Sequence, residues 1–348
     1  MRPTRILALL EREFIASGEG VHTPVMLWGP PGVGKSQLVA QAAARHAAAI
    51  IDVRLAQMEP TDLRGIPFRD GCNVVWSVPA LLPDAGRHGA RGILFLDEIT
   101  SAPPTVTAAA YQLILDRRLG EYRVPDGWAI FAAGNRQGDR GLVYQMPAPL
   151  ANRFTHFDLE PDLDDWIAWA HDHAIDERLI AFLRFRPDLL FDFDAARASH
   201  AFPSPRSWEF AHRALAKFRS DPILLEEALK GCVGTAAALA CRTFIEHLGA
   251  LPDVAAIAAG HETAVPGPID LQYAVASALV RHVARLSPDA RERAVGPVLR
   301  YARGFPQREL GVMLVVDLQS VIGKPLYAHP DFGPWTSDVS SLLSYERE

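Results

Sequence analysis

Val25-Met-Leu-Trp28-Gly29-Pro-Pro-Gly-Val-Gly34-Lys35-Ser36 is the stretch on which the fold turns. An apolar run stops at a glycine, the pattern G-x-x-x-x-G-K-S follows, and a helical sequence opens at Lys35 and runs to His46. A strand before and a helix after separate a phosphate cradle from an accidental glycine-rich turn. Glycines let main-chain N–H groups turn inward around phosphate oxygens, and the helix N-terminus adds positive potential. Gly29, Pro30, Pro31, Gly32, Val33, Gly34, Lys35, Ser36 and Gln37 are therefore the candidate nucleotide-binding residues. Lys35 has the reach for the β- and γ-phosphates, and the Ser36 hydroxyl suits Mg²⁺.

Downstream, Ile93-Leu94-Phe95-Leu96 is a second apolar strand, ending in Asp97-Glu98. Open α/β sheets place their ligands at such strand ends. Asp97 is expected in the Mg²⁺ shell with Ser36, and Glu98 is expected to polarise an attacking water. The bland alternative is an acidic N-cap pair opening the next helix. The run Trp128–Ala132 leads into Ala133-Gly134-Asn135. An asparagine there can orient water at a γ-phosphate without adding charge, or can simply be a turn residue.

Five apolar runs read as parallel strands buried on both faces: Val25–Trp28, Ala49–Val53, Ile93–Leu96, Trp128–Ala132 and Thr155–Leu159. Helical patterns over Lys35–His46, Pro104–Arg118 and Pro149–Asn152 lie between them. The segment 54–92 is not one helix. Turn signals at Arg64-Gly65-Ile66-Pro67 and Asp70-Gly71, then Asn73-Val-Val-Trp76, mark an inserted β-hairpin over Gly65–Trp76. After Glu160 the strand signal fades into helical periodicity, with a Pro- and Gly-rich connection at Ala264–Pro268. The expected architecture is α/β: a five-stranded parallel phosphate-loop core with an inserted hairpin (1–160), an all-α lid (161–250) and an all-α C-terminal extension (251–348).

Hydrophobic residues make up 49% and charged residues 22%, an ordinary globular balance, and the net charge of −6 gives no global pull toward nucleic acid or anionic membrane. The segment Met1–Phe14 has too short an apolar stretch for a secretory signal. The three cysteines Cys72, Cys232 and Cys241 are not at metal-ligand spacing and read as free thiols, which points to the cytoplasm. The twelve histidines do not cluster as metal ligands, no G-x-S-x-G nucleophile elbow occurs, and no N-K-x-D sequence suggests guanine reading.

Together these motifs resemble the AAA+ superfamily of ring-forming ATPases over residues 1–250. The family's Walker A, Walker B and sensor 1 correspond to Gly29–Ser36, Asp97-Glu98 and Asn135. Its arginine finger corresponds to Arg153 in Pro149-Leu-Ala-Asn-Arg153-Phe154, and its sensor 2 arginine to Arg206 in Pro203-Ser-Pro-Arg206-Ser-Trp208. The insert at Gly65–Trp76 is similar to that of the MoxR and dynein-related branch, whose second hairpin corresponds to the short excursion Arg118–Pro125. The resemblance implies ATP with Mg²⁺, a hexameric ring, and remodelling or maturation of a protein partner. It also implies a separate partner with a von Willebrand factor A domain, since Val315–Ser320 lacks the D-x-S-x-S metal pattern of such a domain.

An arginine acting in trans stabilises transition-state charge, which suits Arg153. Its alternative is a local ion pair with Asp158. Arg206 follows an N-cap serine and a proline, so it falls in a helix's first turn, where the dipole does not favour a cation. Phe68, Arg69 and Trp76 are candidate substrate contacts on the hairpin, although Trp76 can equally pack on the core. Two other functions stay open: a nucleotide-dependent assembly switch, and a nucleic-acid-linked motor of the restriction or defence type.

Overall fold

The five parallel strands form in the expected places, and only the inner three are buried on both faces. They are β1 (Val25–Trp28), β2 (Ala49–Arg54), β5 (Arg91–Asp97), β8 (Gly127–Gly134) and β9 (Thr155–Asp158), in the order β2-β5-β8-β1-β9. The inner strands β5, β8 and β1 bury almost every residue, as an apolar run between two helical layers must. The edge strands expose Ile50, Asp52 and Arg54 on β2 and Thr155, His156 and Asp158 on β9. The expectation of two-sided burial therefore fails at the edges, where each strand has a neighbour on one side only. The register sets Trp28 beside Gly134 and Asp158, and Leu96 beside Ala132, so the loops after β1, β5 and β8 leave one edge of the sheet together.

This computed structural model describes every residue except 137, 140–143, 195–199, 248–251 and 344–348. The chain divides into two compact units, Met1–Trp166 with Phe193–Ala198, and Ile167–Asp192 with Ser199–Glu348.

In the first unit, α1 (Pro3–Ser17) buries Ile6, Leu7, Leu10 and Phe14 at helical spacing and packs with α2 (Lys35–Arg45). Met26, Leu94, Leu96, Trp128 and Ile130 face a core shared with Val106, Ala110 and Leu113 of α5 (Pro104–Asp116). Short helices α3 (Pro60–Arg64), α4 (Ala85–His88) and α6 (Ala148–Ala151) fill the connections. The inserted hairpin is β3 (Pro67–Asp70) paired antiparallel with β4 (Asn73–Trp76), turning at Gly71 with φ 60°. The shorter excursion is β6 (Arg118–Leu119) with β7 (Tyr122–Arg123). Helix α5 stops two residues before the expected Arg118, because Arg117 turns left-handed (φ 53°). Its guanidinium donates to the carbonyls of Pro125 and Trp128 at 2.9 and 2.6 Å, which ties down the excursion.

The second unit is helical. It runs through α7 (Leu163–Asp172, which begins just inside the first unit), α8 (Glu177–Phe185), α9 (Pro205–Lys217), α10 (Pro222–Val233), α11 (Thr235–His247) and α12 (Val254–Ala258). It continues with α13 (Ile269–Arg285), α14 (Pro288–Arg303), α15 (Arg308–Ile322), α16 (Lys324–Ala328) and α17 (Phe332–Leu343). The expected boundary at 250 lies outside the described residues. Residues on either side of it belong to one unit, because α8 packs on α13 and a buried Arg184–Asp317 ion pair joins α8 to α15. The cysteines are free thiols. Among the described residues, no helix is long and apolar enough to cross a membrane.

Candidate functional site

The loop after β1 reverses through two glycines in left-handed conformations, Gly32 (φ 83°) and Gly34 (φ 101°). A side chain is strained at either position, so glycine is required there. Gly34 then serves as the N-cap of α2 with no side-chain bond, and its carbonyl accepts the Leu38 N–H at 2.9 Å. Val33 is buried against Gly29, which fixes the loop on the sheet, while Gln37 is exposed in the first turn of α2.

Lys35 Nζ donates to the carbonyls of Gly29 (2.5 Å) and Pro30 (3.1 Å) and to Asn135 Oδ1 (2.9 Å). Ser36 Oγ donates to Asp97 Oδ2 at 2.7 Å. Two side-chain bonds thus bring the loop after β1 to the ends of β5 and β8. Asp97 and Glu98 diverge as adjacent residues at a strand end can. Asp97 Oδ1 accepts the Glu98 N–H at 2.8 Å, and Glu98 itself is left-handed (φ 56°) and exposed. The N-cap alternative is met in position only: Glu98 stands at the N-cap of a short 3-10 turn, Ile99–Ser101, but its side chain makes no cap bond, and neither acid caps α5. A non-glycine residue held left-handed is uncommon and tends to mark a functional position.

Asn135 is held by Thr100, which the sequence reading did not single out. The Asn135 N–H donates to Thr100 Oγ1 at 3.1 Å, and Thr100, only 3% exposed, packs its side chain against Gly134. Asp52 was also missed. It stands on β2, near enough to Asp97 and Glu98 that burial and their charges raise its carboxyl above the usual carboxylate range, against the pull of Arg54. The period-2 alternation of β2 puts Asp52 and Arg54 on the same face, the one signal that could have drawn attention to it.

The two arginines stand apart from this network. Arg153 follows α6 and is exposed; among the described residues its side chain has no hydrogen bond or ion pair. The alternative pairing with Asp158 is ruled out, because Asp158 is taken by Arg136 at 2.7 Å. Arg206 lies in the first turn of α9 behind a Ser204–Ser207 capping box, exposed and likewise without a partner among the described residues.

Hard oxygen donors fit Mg²⁺, which takes one or two protein oxygens beside substrate phosphates. Ser36 Oγ and Asp97 Oδ2 offer such a pair. Among the described residues no group of three or more His, Cys, Asp and Glu could hold a metal.

Residues 24–154 match the family description "AAA domain (dynein-related subfamily)". Protein NorQ of Paracoccus denitrificans is 37% identical over 97 residues, 28% of this chain and 35% of that protein. Midasin of Giardia intestinalis is 30% identical over 166 residues, 44% of this chain and 3% of that protein. The chain therefore spans about a third of one curated relative and a small fraction of the other. Among solved structures, a Thermotoga maritima RuvB variant is 19% identical, covering 78% of this chain and 80% of that chain with a TM-score of 0.38. The sequence matches fall on the segment that carries the phosphate loop, the acidic pair and Asn135: residues 24–154 match an AAA domain of the dynein-related subfamily, and this part of the chain is similar to the MoxR-like AAA+ proteins.

Proposed function

We propose that the chain hydrolyses Mg-ATP to remodel or mature a protein partner, working in the cytoplasm as a hexameric ring of identical subunits. The observation that carries this reading is the convergence of Lys35 with Asn135, and of Ser36 with Asp97, on the end of one sheet. Lys35 binds the β- and γ-phosphates, exchanging its bond to Asn135 for a phosphate oxygen, and Asn135 is then free to hold the attacking water. Glu98 polarises that water as general base. Ser36 and Asp97 would hold Mg²⁺, which would supply charge neutralisation at the phosphate oxygens. Arg153 reaches the site of the neighbouring subunit, so turnover depends on assembly.

In this reading the helices of 161–250 form a lid that carries Arg206, and 251–348 is an extension. The hairpin supports a protein partner, since Phe68 is 51% and Trp76 41% exposed, contrary to core packing for Trp76. The net charge of −6 favours such a partner over nucleic acid. A partner with a von Willebrand factor A domain is part of the same proposal.

The test is light scattering and native mass of Glu98→Gln in ATP. A stable ATP-dependent hexamer that retains a co-purifying protein is expected. A variant that stays monomeric in ATP, or hydrolyses it at the wild-type rate, overturns the reading.

A further inference from the structure

Within the helical unit, α8 and α13, with Val254 of α12, line a half-open cavity of about 270 Å³ that no step of nucleotide hydrolysis uses. Small residues, Ala181 on α8 and Ala274 and Ala278 on α13, make room for it. Its polar lining comes from one stripe of α13, Ser277, Arg281, His282 and Arg285, and from the first turn of α8, Glu177 and Arg178. Spacings of three and four residues put the α13 groups on one helical face.

Two oxygens in this lining are orphaned. Ser277 is 3% exposed and its Oγ is buried without a hydrogen-bond partner, and Glu177 Oε2 is likewise buried without a hydrogen bond, while Oε1 lies 3.6 Å from His171 Nδ1. A buried polar group without a partner costs about 1–3 kcal/mol, so each such atom calls for an explanation. The charges are equally uneven. Arg178 is committed to Asp176 through bonds of 2.9 and 2.7 Å. Arg281 and Arg285, one turn apart, make no hydrogen bond or close ion pair among the described residues, although Arg281 is near enough to Asp176 to help lower its pKa, and Glu177 is the only carboxylate in the lining. Cations at the C-terminal end of a helix are favoured by its dipole. That accounts for their presence on α13 but not for the cavity they line or for the unpaired hydroxyl beneath them.

We propose that this cavity binds a compact organic anion carrying hydroxyl groups, its phosphate or carboxylate held by Arg281 and Arg285 and its hydroxyls by Glu177 and Ser277. Guanidinium forks match both kinds of anion. The volume lies just below the ~300 Å³ at which drug-sized pockets begin, so the ligand is a small metabolite rather than a dinucleotide. Because the ligand contacts both α8 and α13, its binding stiffens the helical unit. The inference does not depend on the nucleotide chemistry proposed above.

The test is calorimetric titration of the full chain with glycerol 3-phosphate, with glycerate, and with glycerol as the uncharged control. Saturable binding of one or both anions and none of glycerol is expected, and the stronger arm identifies the anion. The double variant R281Q/R285Q should lose about tenfold or more in affinity. R281K/R285K should recover part of it, and Ser277→Ala should weaken binding less. Lys35→Ala should leave it unchanged, which separates this site from the phosphate loop. Wild-type protein that binds neither anion overturns the proposal. So does binding that Lys35→Ala abolishes, or that R281Q/R285Q leaves intact while circular dichroism shows the fold unchanged.

Discussion

In the α/β unit the decisive polar side chains gather at one edge of the sheet and bond across strands, Lys35 to Asn135 and Ser36 to Asp97. In the helical unit they staple helices instead, Arg184 of α8 to Asp317 of α15 and Arg242 of α11 to Glu226 of α10. The first set is half-buried, and in the proposed function phosphate and Mg²⁺ take over each bond, which makes its contacts exchangeable. The second joins helix to helix, neighbouring ones through Arg242 and distant ones through Arg184, and its most buried member has no exchange partner at hand. One network is built to be rearranged and the other to stay. Arg153 and Arg206 belong to neither, which is the state expected of cations whose counter-charge arrives with a nucleotide.

The largest expected effect falls on the exchangeable network. Lys35→Ala removes the ammonium that spans the loop after β1 and the end of β8, and fluorescent-nucleotide titration should find affinity lowered by about a hundredfold or more. Unchanged affinity would mean that the bonds around Lys35 are structural like those of the helical unit, and the contrast would collapse. Arg153→Ala should bind nucleotide normally yet lose about a thousandfold in kcat, the scale of a missing arginine finger. Mixing Arg153→Ala with Glu98→Gln subunits should restore part of the turnover, because each supplies what the other's site lacks. No recovery would place Arg153 in its own subunit's structure.

In the helical unit the same logic is read as stability. Arg184 is 7% exposed and the Asp317 side chain 17%, so Arg184→Ala leaves a largely shielded carboxylate without its counter-ion. Breaking a buried pair in this way costs about 3–5 kcal/mol, whereas replacing both partners with apolar side chains is often close to neutral. Urea unfolding should therefore show R184A strongly destabilised and R184M/D317L much less so. Equal losses would show that the pair gives net stability rather than merely compensating its own burial.

How much of this was legible in the sequence follows from where the constraint is local. The phosphate loop, β5 with Asp97-Glu98 and the Ser204-Pro205 helix start are each specified by contiguous residues, and all three form where expected. Helix α1 was legible too, since Ile6, Leu7, Leu10 and Phe14 repeat at helical spacing, but the segment had been weighed only as a possible signal peptide. Thr100 and Asp52 were not legible as site residues. Their roles come from strand order, which sets β2 beside β5 and β5 beside β8, so that Asp52 comes near Asp97 and Thr100 reaches Asn135. That the helices on either side of residue 250 belong to one unit was hidden for the same reason, because Arg184 and Asp317 lie far apart in the chain.

The smallest predicted effect tests whether the α/β unit has its own sensitivity to pH. His22 is buried, and its Nε2 accepts the Ile130 N–H of β8 at 2.8 Å, which only an unprotonated nitrogen can do. Burial, with Arg117 nearby, lowers its pKa from 6.5 to about 4. The folded protein thus keeps His22 neutral while the unfolded chain takes up a proton below about pH 6.5. The unfolded state binds more protons through that window, so stability is complete above about pH 6.5, declines as pH falls, and levels off below about 4. The full span is about 3 kcal/mol. Amide exchange at Ile130, corrected for the intrinsic rate and referenced to α15, should show protection falling between pH 7 and 4.5. In His22→Asn, which offers an acceptor that does not titrate, the profile should flatten. If both proteins lose protection alike, the acid sensitivity belongs to another group and the His22–Ile130 bond is only a packing contact.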